Sequence, residues 1–251
     1  GEIMKTLRGA KNSTVKLGVQ RGNSPELLYF DVTRGDGPVN SVDVSYEAAK
    51  GIGYIKVSKF ARNTYNEFIT AIAKLKQAGC TSFVIDLRGN TGGYMDAAIN
   101  MINEFMPEGR LIVYTEGKSF PRSDVYAKAT GTCKDAPIVV LTDEISASAS
   151  EIFSGAIQDN DRGTIIGRRT YGKGLVQTQM SLSDGSEMRL TIARYYTPSG
   201  RCIQKKYEMG NTDAYDQDIY NRYMHGEFDS ADSIKMDDSL KYQTVGGRTV
   251  Y

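Results

Sequence analysis

Ala136-Pro137-Ile138-Val139-Val140-Leu141-Thr142-Asp143-Glu144-Ile145-Ser146-Ala147-Ser148-Ala149-Ser150-Glu151 is the stretch from which the rest of the chain can be read. Its first six residues form an apolar run of the kind that makes a buried strand. Beyond the serine-rich turn, Ile152, Phe153, Ala156 and Ile157 recur with the period of an amphipathic helix. A serine at such a strand-to-helix turn sits at the positive end of the helix, beside N–H groups that have no intrahelical acceptor. That is a suitable place for a nucleophile whose attack creates an oxyanion. Further on, Tyr171-Gly172-Lys173-Gly174-Leu175-Val176-Gln177 offers a lysine that could deprotonate the hydroxyl.

Histidine is not the expected base, since a triad built on it would need a surface-like segment to fold back into the core. The chain contains one, His225, in a polar, tyrosine-dotted stretch remote from any strand-turn-helix signal. A Ser–Lys pair is an alternative form of the same chemistry. Serine is a poor nucleophile until a base takes its proton, and a lysine, ordinarily near pKa 10.4, must be neutral to act as that base. Burial and a nearby helix N-terminus both favour the neutral form. Gln177, two alternations along a strand from Lys173, is expected on the same face, where its amide could orient the amine.

The oxyanion needs two donors aimed at one point. Ala149, directly after Ser148, supplies one at the helix start. The second is expected from Gly92 or Gly93. These lie in a glycine loop, Arg88-Gly89-Asn90-Thr91-Gly92-Gly93, whose backbone can approach a ligand closely. The loop joins a buried strand, Thr81-Ser82-Phe83-Val84-Ile85-Asp86-Leu87, to a helix carrying Met95, Ala98, Ile99, Ile102 and Phe105. It lacks the Gly-Lys-Ser/Thr ending of a P-loop and the dinucleotide fingerprint, which argues against nucleotide binding. Asp86 and Arg88 read as structural charges at a strand end.

Six sequence blocks carry a family resemblance. In order they are Gly53-Tyr54-Ile55; Asp86-Leu87-Arg88-Gly89-Asn90-Thr91-Gly92-Gly93; Ser146 to Ile152; Gln158-Asp159-Asn160; Gly172 to Gln177; and Tyr196-Thr197-Pro198-Ser199-Gly200-Arg201. In these blocks the chain resembles the C-terminal processing peptidases, envelope serine proteases with a Ser–Lys dyad and usually a PDZ domain. The resemblance implies that the nucleophile is the middle serine of the run, twenty-five residues before the lysine, with a glutamine four residues after it. That spacing selects Ser148, Lys173 and Gln177 and leaves Ser146 and Ser150 as bystanders. It also implies an α/β fold, a layered crotonase- or Clp-protease-like spiral, and a β-rich N-terminal segment. Residues 1–22 are then the remnant of a PDZ domain without its carboxylate-binding loop, 23–50 a connecting β segment, 51–204 the peptidase core and 205–251 a polar C-terminal extension. Localisation in the periplasm or cell envelope, with activation by substrate tails or partners, follows from the resemblance alone.

Composition is that of an ordinary soluble protein with a proper core. The chain has 251 residues, 40% of them hydrophobic and 24% charged, enough for one large α/β domain or a medium one with appendages. A formal net charge of +1 suggests neither nucleic acid nor an acidic membrane surface as partner, and no apolar run reaches the length of a membrane span. Cys80, Cys133 and Cys202 show no metal-binding spacing. No cofactor or metal is expected.

Elsewhere the chain alternates strands with helices, which indicates a partly parallel sheet. Strands are expected at Thr14–Gln20 and Leu27–Thr33, separated by the turn-rich Arg21-Gly22-Asn23-Ser24-Pro25, and at 53–57, 111–114, 163–167, 174–181 and 187–195. Ser183-Asp184-Gly185 reads as a hairpin turn. Thr64-Tyr65-Asn66-Glu67 reads as a capping box opening a helix that Gly79 stops, with Tyr65, Phe68, Ile69, Ile72 and Leu75 on one face. In the extension, Tyr215, Ile219, Tyr220 and Tyr223 suggest one amphipathic helix, serving packing or a subunit contact. The expected partners are protein or peptide substrates with accessible C-termini, with a homo-oligomer or adaptor beside them. Two rivals stand next to the serine endopeptidase: a catalytically silent peptide-binding scaffold of the same fold, and a crotonase-type acyl-CoA enzyme using the same kind of glycine oxyanion loop.

Overall fold

A computed structural model describes residues 2–22, 25–35, 40–207, 212–234 and 236–251. The chain divides into two compact units, Gly1–Val39 and Asn40–Tyr251. In the first, a short helix α1 (Glu2–Leu7) precedes an antiparallel hairpin of β1 (Thr14–Gln20) and β2 (Leu27–Thr33), paired from Thr14↔Thr33 to Gln20↔Leu27. The Arg34 guanidinium ties the two together, donating to the carbonyl of Leu7 (2.8 Å) and to Ser13 Oγ (2.8 Å). Asn23 and Ser24 of the expected turn, and part of the connector, lie outside the described residues.

The second unit is an α/β fold. Its main sheet contains β3 (Val42–Ala49), β4 (Ile52–Val57), β5 (Ser82–Asp86), β8 (Ile138–Thr142) and β9 (Thr164–Gly167), in the order β3-β4-β5-β8-β9. β3 runs antiparallel to β4, and the others are parallel. The helices α2 (Thr64–Gln77), α3 (Met95–Phe105) and α4 (Ala149–Asp159) supply the apolar residues of the core. Ile55, Val57, Phe83, Ile85 and Val140 of the strands join Phe68, Ile72, Ile102, Phe105, Phe153 and Ile157 of the helices in one cluster. Phe68 and Phe83 both meet Phe105 edge-on, at 6.1 and 6.3 Å between centroids. A second, antiparallel sheet is ordered β10-β11-β6-β7, from β6 (Leu111–Gly117), β7 (Phe120–Tyr126), β10 (Leu175–Ser181) and β11 (Glu187–Tyr196). The tail carries α5 (Thr212–Asp216), α6 (Asp218–Met224) and a small pair, β12 (Tyr242–Gln243) and β13 (Thr249–Val250).

Three neighbouring parallel strands decide the site. β5, β8 and β9 run the same way, so the segments following their C-terminal ends emerge side by side, where ligands bind in open α/β sheets. The glycine loop follows β5, the serine turn follows β8 and the lysine turn follows β9.

Several expectations change. Val42–Ala49, expected in the connector, pairs along β4 and lies in the second unit, which begins at Asn40. Thr64 and Glu67 do not form a capping box. The N-cap is Asn63, and the Glu67 carboxylate instead accepts from Ser41 N (2.7 Å) and Val42 N (2.9 Å), fastening β3 to the helix. β7 was not foreseen, because Phe120-Pro121-Arg122-Ser123-Asp124 carries no apolar run. The tail forms two short helices, and the exposed Tyr220 and Tyr223 leave Arg222 as the buried residue of α6. Gly79, at φ +93°, stops α2 as read, and Leu182 and Ser186 close the hairpin around Gly185. All three cysteines are free thiols, with Cys80 and Cys133 buried. Ile85→Ala, emptying a fully buried site in the central strand, is expected to lower the unfolding free energy by about 2–5 kcal/mol in urea titration. Ile166→Ala, on the exposed face of β9, should change it by less than about 0.5 kcal/mol.

Candidate active site

Ser148 is the N-cap of α4 and holds a left-handed backbone, φ 57° and ψ −114°. A non-glycine residue in this region is strained by about 1–3 kcal/mol and persists only where its surroundings over-determine it. The bystander serines do part of that work. Ser146 Oγ donates to Leu87 O (2.8 Å) and Ser150 Oγ to Asn90 O (2.9 Å), both fully buried, while Ala147 N also donates to Asn90 O (3.0 Å). They stitch the serine turn to the glycine loop. Asp143 adds a further tie, accepting from Gly89 N (2.9 Å) and Ile145 N (3.0 Å).

In the glycine loop, a Cβ on Gly92 would lie 2.7 Å from Ser148 Cβ and 3.0 Å from Ala149 N, at a φ of +97°. Gly92 therefore keeps open the space over Ser148 and the first helical amide. Its own N–H is taken, donating to Asn90 Oδ1 at 2.8 Å. Of the two glycines read as the second oxyanion donor, only Gly93 retains an amide that donates to no protein group among the described residues. The same holds for Ala149. Gly93 is itself pressed onto Phe60, whose carbonyl oxygen lies 2.0 Å from where a Cβ would stand.

The lysine turn reaches the serine turn through a residue the sequence reading passed over. Glu151, 5% exposed, accepts four hydrogen bonds with two oxygens. Oε2 takes the amides of Ser148 and Lys173, both at 2.8 Å; Oε1 takes Thr170 Oγ1 (2.8 Å) and Gly172 N (2.5 Å). Burial pushes its carboxyl above the ordinary range, opposed by the donors from Lys173, Thr170, Gly172 and Ser148. Its place three residues after Ser148, the Ser-x-x-Glu spacing of a capping box, was the available signal. Tyr171 N donates to Ser146 O (3.0 Å), a second tie between the turns.

The Lys173 side chain is exposed, and its amine makes no hydrogen bond to protein among the described residues. The backbone of Lys173 is held to the serine turn while its amine is not. Gln177 does not follow the expected alternation. Lys173 precedes β10, and a bulge between Val176 and Gln177 breaks the register, so Gln177 turns to Thr191 Oγ1 (3.4 Å). His225 caps the end of α6, its ring Nδ1 paired with Asn221 O at 2.7 Å. Among the described residues no cluster of His, Cys, Asp or Glu could hold a metal, and no helix is long and apolar enough to cross a membrane.

Asp86, at the end of β5, anchors the start of the glycine loop. It accepts from Arg88 N (2.9 Å), the Arg88 guanidinium (2.7 Å) and the Tyr54 hydroxyl (2.6 Å), with Lys56 at 3.4 Å. Burial alone would raise its pKa. The Arg88 side chain, Tyr54, the Arg88 amide and Lys56 outweigh it and hold the carboxyl well below the usual range. Burial and Asp86 together push the Tyr54 phenol up to about 12.

A family model described as peptidase family S41 matches residues 51–213. The chain belongs to peptidase family S41. It is 36% identical over 207 residues to a carboxyl-terminal-processing protease of Synechocystis, covering 81% of this chain and 48% of that protein. It is 36% identical over 206 residues to a probable CtpA-like serine protease of Staphylococcus haemolyticus, covering 82% and 41%. The chain thus spans about half the length, or less, of these S41 relatives. Among solved structures it resembles a photosystem II D1 C-terminal processing protease, with 31% identity, a TM-score of 0.62, and coverage of 81% of this chain and 56% of that one. A putative S41 protease from Bacteroides fragilis shares the fold at 16% identity and a TM-score of 0.55, covering 85% and 65%.

Glu151→Gln replaces one acceptor oxygen with an NH2 that would face two donors. It is expected to lower stability by about 1–3 kcal/mol in urea unfolding. Asp86 has a folded pKa below its unfolded value of about 3.9, so its stabilisation is fully present above that value and lost progressively as pH falls from it through the lower folded value. Asp86→Asn should therefore be less stable than wild type at neutral pH, and the gap should close as denaturation is repeated from about pH 5 down to pH 2.

Proposed function

We propose that this chain is the peptidase core of a C-terminal processing protease and cleaves protein substrates near their C-termini through an acyl-enzyme. The observation that carries the reading is the Ser148 turn, a strained serine at a helix start lying under the cleared space of Gly92 and joined through Glu151 to the turn that carries Lys173.

Ser148 Oγ attacks the scissile carbonyl carbon as its proton passes to the neutral amine of Lys173. The carbonyl oxygen becomes an oxyanion, stabilised by the amides of Ala149 and Gly93. Collapse breaks the C–N bond, and Lys173 returns the proton to the leaving amine. Water, deprotonated by the same lysine, then hydrolyses the ester and restores Ser148. No step needs a cofactor. Gln177 is proposed to hold the amine once the β10 end adjusts.

With its amine free in solvent, Lys173 is in a resting arrangement, and the active one requires the side chain to turn onto Ser148. A substrate covering the cleft would exclude water from the amine, the condition under which a lysine serves as a base. Proximity sets the rate here, since a misplacement of about 1 Å can cost about a hundredfold. By analogy with the carboxyl-terminal-processing relatives, the substrates are proteins with accessible C-termini. The resemblance of the sequence blocks adds the periplasm or envelope as the place of action and a PDZ-derived segment in the first unit.

The test is casein cleavage by the chain beside Ser148→Ala and Lys173→Ala, with folding checked by circular dichroism. Both variants should lose at least about a thousandfold in kcat/KM. Cleavage surviving in a folded Ser148→Ala would overturn the mechanism.

A further inference from the structure

Residues 168–172, the turn leading to Lys173, are held from outside by the C-terminal extension. Arg222 is the buried residue of α6, 4% exposed. Its guanidinium donates through Nη1 to Thr170 O (3.1 Å), through Nη2 to Arg169 O, and through Nε to Glu227 Oε2 (3.1 Å). Glu227 in turn grips the Arg169 side chain with both oxygens, the closer contact at 2.7 Å. The Arg168 guanidinium lies over the Phe228 ring at 5.2 Å. On the other flank, Lys205 N donates to Gly172 O (2.9 Å). The Lys205 amine sits between the Tyr171 and Tyr215 rings at 4.3 and 4.1 Å, paired with Asp218 at 3.3 Å.

A buried guanidinium is costly unless its donors are used, and a fork that meets two adjacent carbonyls fixes their peptide planes. Arg222 meets the carbonyls of the two residues whose other groups face inward and outward. The Thr170 hydroxyl goes to Glu151, and the Arg169 side chain goes to Glu227. A continuous path therefore runs from α6 through Arg222, Thr170 and Glu151 to the Ser148 amide. Packing alone does not ask for this. An apolar residue would fill the same volume without three directed bonds.

We infer that Arg222 is a positioning residue for the reaction, and that residues 218–228 brace the lysine turn so that Lys173 needs only side-chain rotation to reach Ser148. The extension is then part of the active-site scaffold. The inference rests on Lys173 acting as the base.

The experiment compares the full chain with Arg222→Met, which keeps bulk and removes the donors. Amide hydrogen exchange over 168–174 should become at least about tenfold faster in the variant, with core strands unchanged. Casein cleavage should fall about ten- to a hundredfold in kcat, with KM within about twofold. Unchanged exchange over 168–174 in a folded variant would overturn the brace, whatever the activity. A loss confined to KM would overturn the positioning role. Should Arg222→Met fail to fold, Arg222→Lys, which reaches one carbonyl but cannot fork, carries the same measurements with a smaller change. If the wild-type chain cleaves nothing, the exchange measurement still decides the brace, and the failure falls on the peptidase reading.

Discussion

The Glu151 carboxylate is the constraint on which the site depends. Its two oxygens collect the amide of the proposed nucleophile, the amide of the proposed base and two further donors from the lysine turn. A charge this buried is tolerable only when saturated with donors, so the two turns cannot drift apart without exposing it to an unmet desolvation cost. The effect is mechanical as much as electrostatic. Glu151 belongs to α4, so the lysine turn is referred to the same rigid helix whose first amide is the proposed oxyanion donor.

Around that carboxylate the loops are fixed by groups that take no part in the chemistry. The left-handed backbone of Ser148 is held because Ser146 and Ser150 bind carbonyls of the neighbouring loop on either side of it. Asn90, fully buried, spans from Val57 O to Gly92 N and sets the glycine that stands over Ser148. Asp86 does the same at the loop's entrance. The interior is thus over-determined, whereas the Lys173 side chain is exposed. The tail, a polar stretch with little apolar content, gains its role in the same way, through directed bonds from Arg222 and Glu227 rather than through a hydrophobic face.

Much of this was legible before any coordinates. Apolar runs bounded by glycine, and the helical recurrence of Phe68, Ile72, Ile102 and Phe153, depend only on the local requirement to bury one face of each element. That sufficed for the α/β class and for most strand limits, while the family came from the resemblance of six spaced motif blocks, which periodicity does not supply. It failed where local pattern and long-range partner compete. Glu67 has the spacing of a cap but turns to β3, and Gln177 has the spacing of a strand neighbour but sits past a bulge. The tyrosines of α6 have helical spacing but face solvent, because the buried position is taken by an arginine with three acceptors waiting.

What the amino-acid order determined by itself was the set of pieces: a serine at a helix start, a glycine loop after a buried strand, and a lysine between glycines, each dictated by steric and periodic rules acting within a few residues. What only the tertiary structure decided was their meeting. The strand order β5-β8-β9 delivers the three segments to one end of the sheet, and no spacing along the chain encodes that adjacency. The engagement of the Gly92 amide by Asn90, the bond of Glu151 across two turns and the reach of Arg222 over fifty residues to Thr170 share one cause. Each hydrogen bond is claimed by whichever acceptor the folded backbone brings within about 3 Å, and that is a property of the fold rather than of the neighbourhood in sequence.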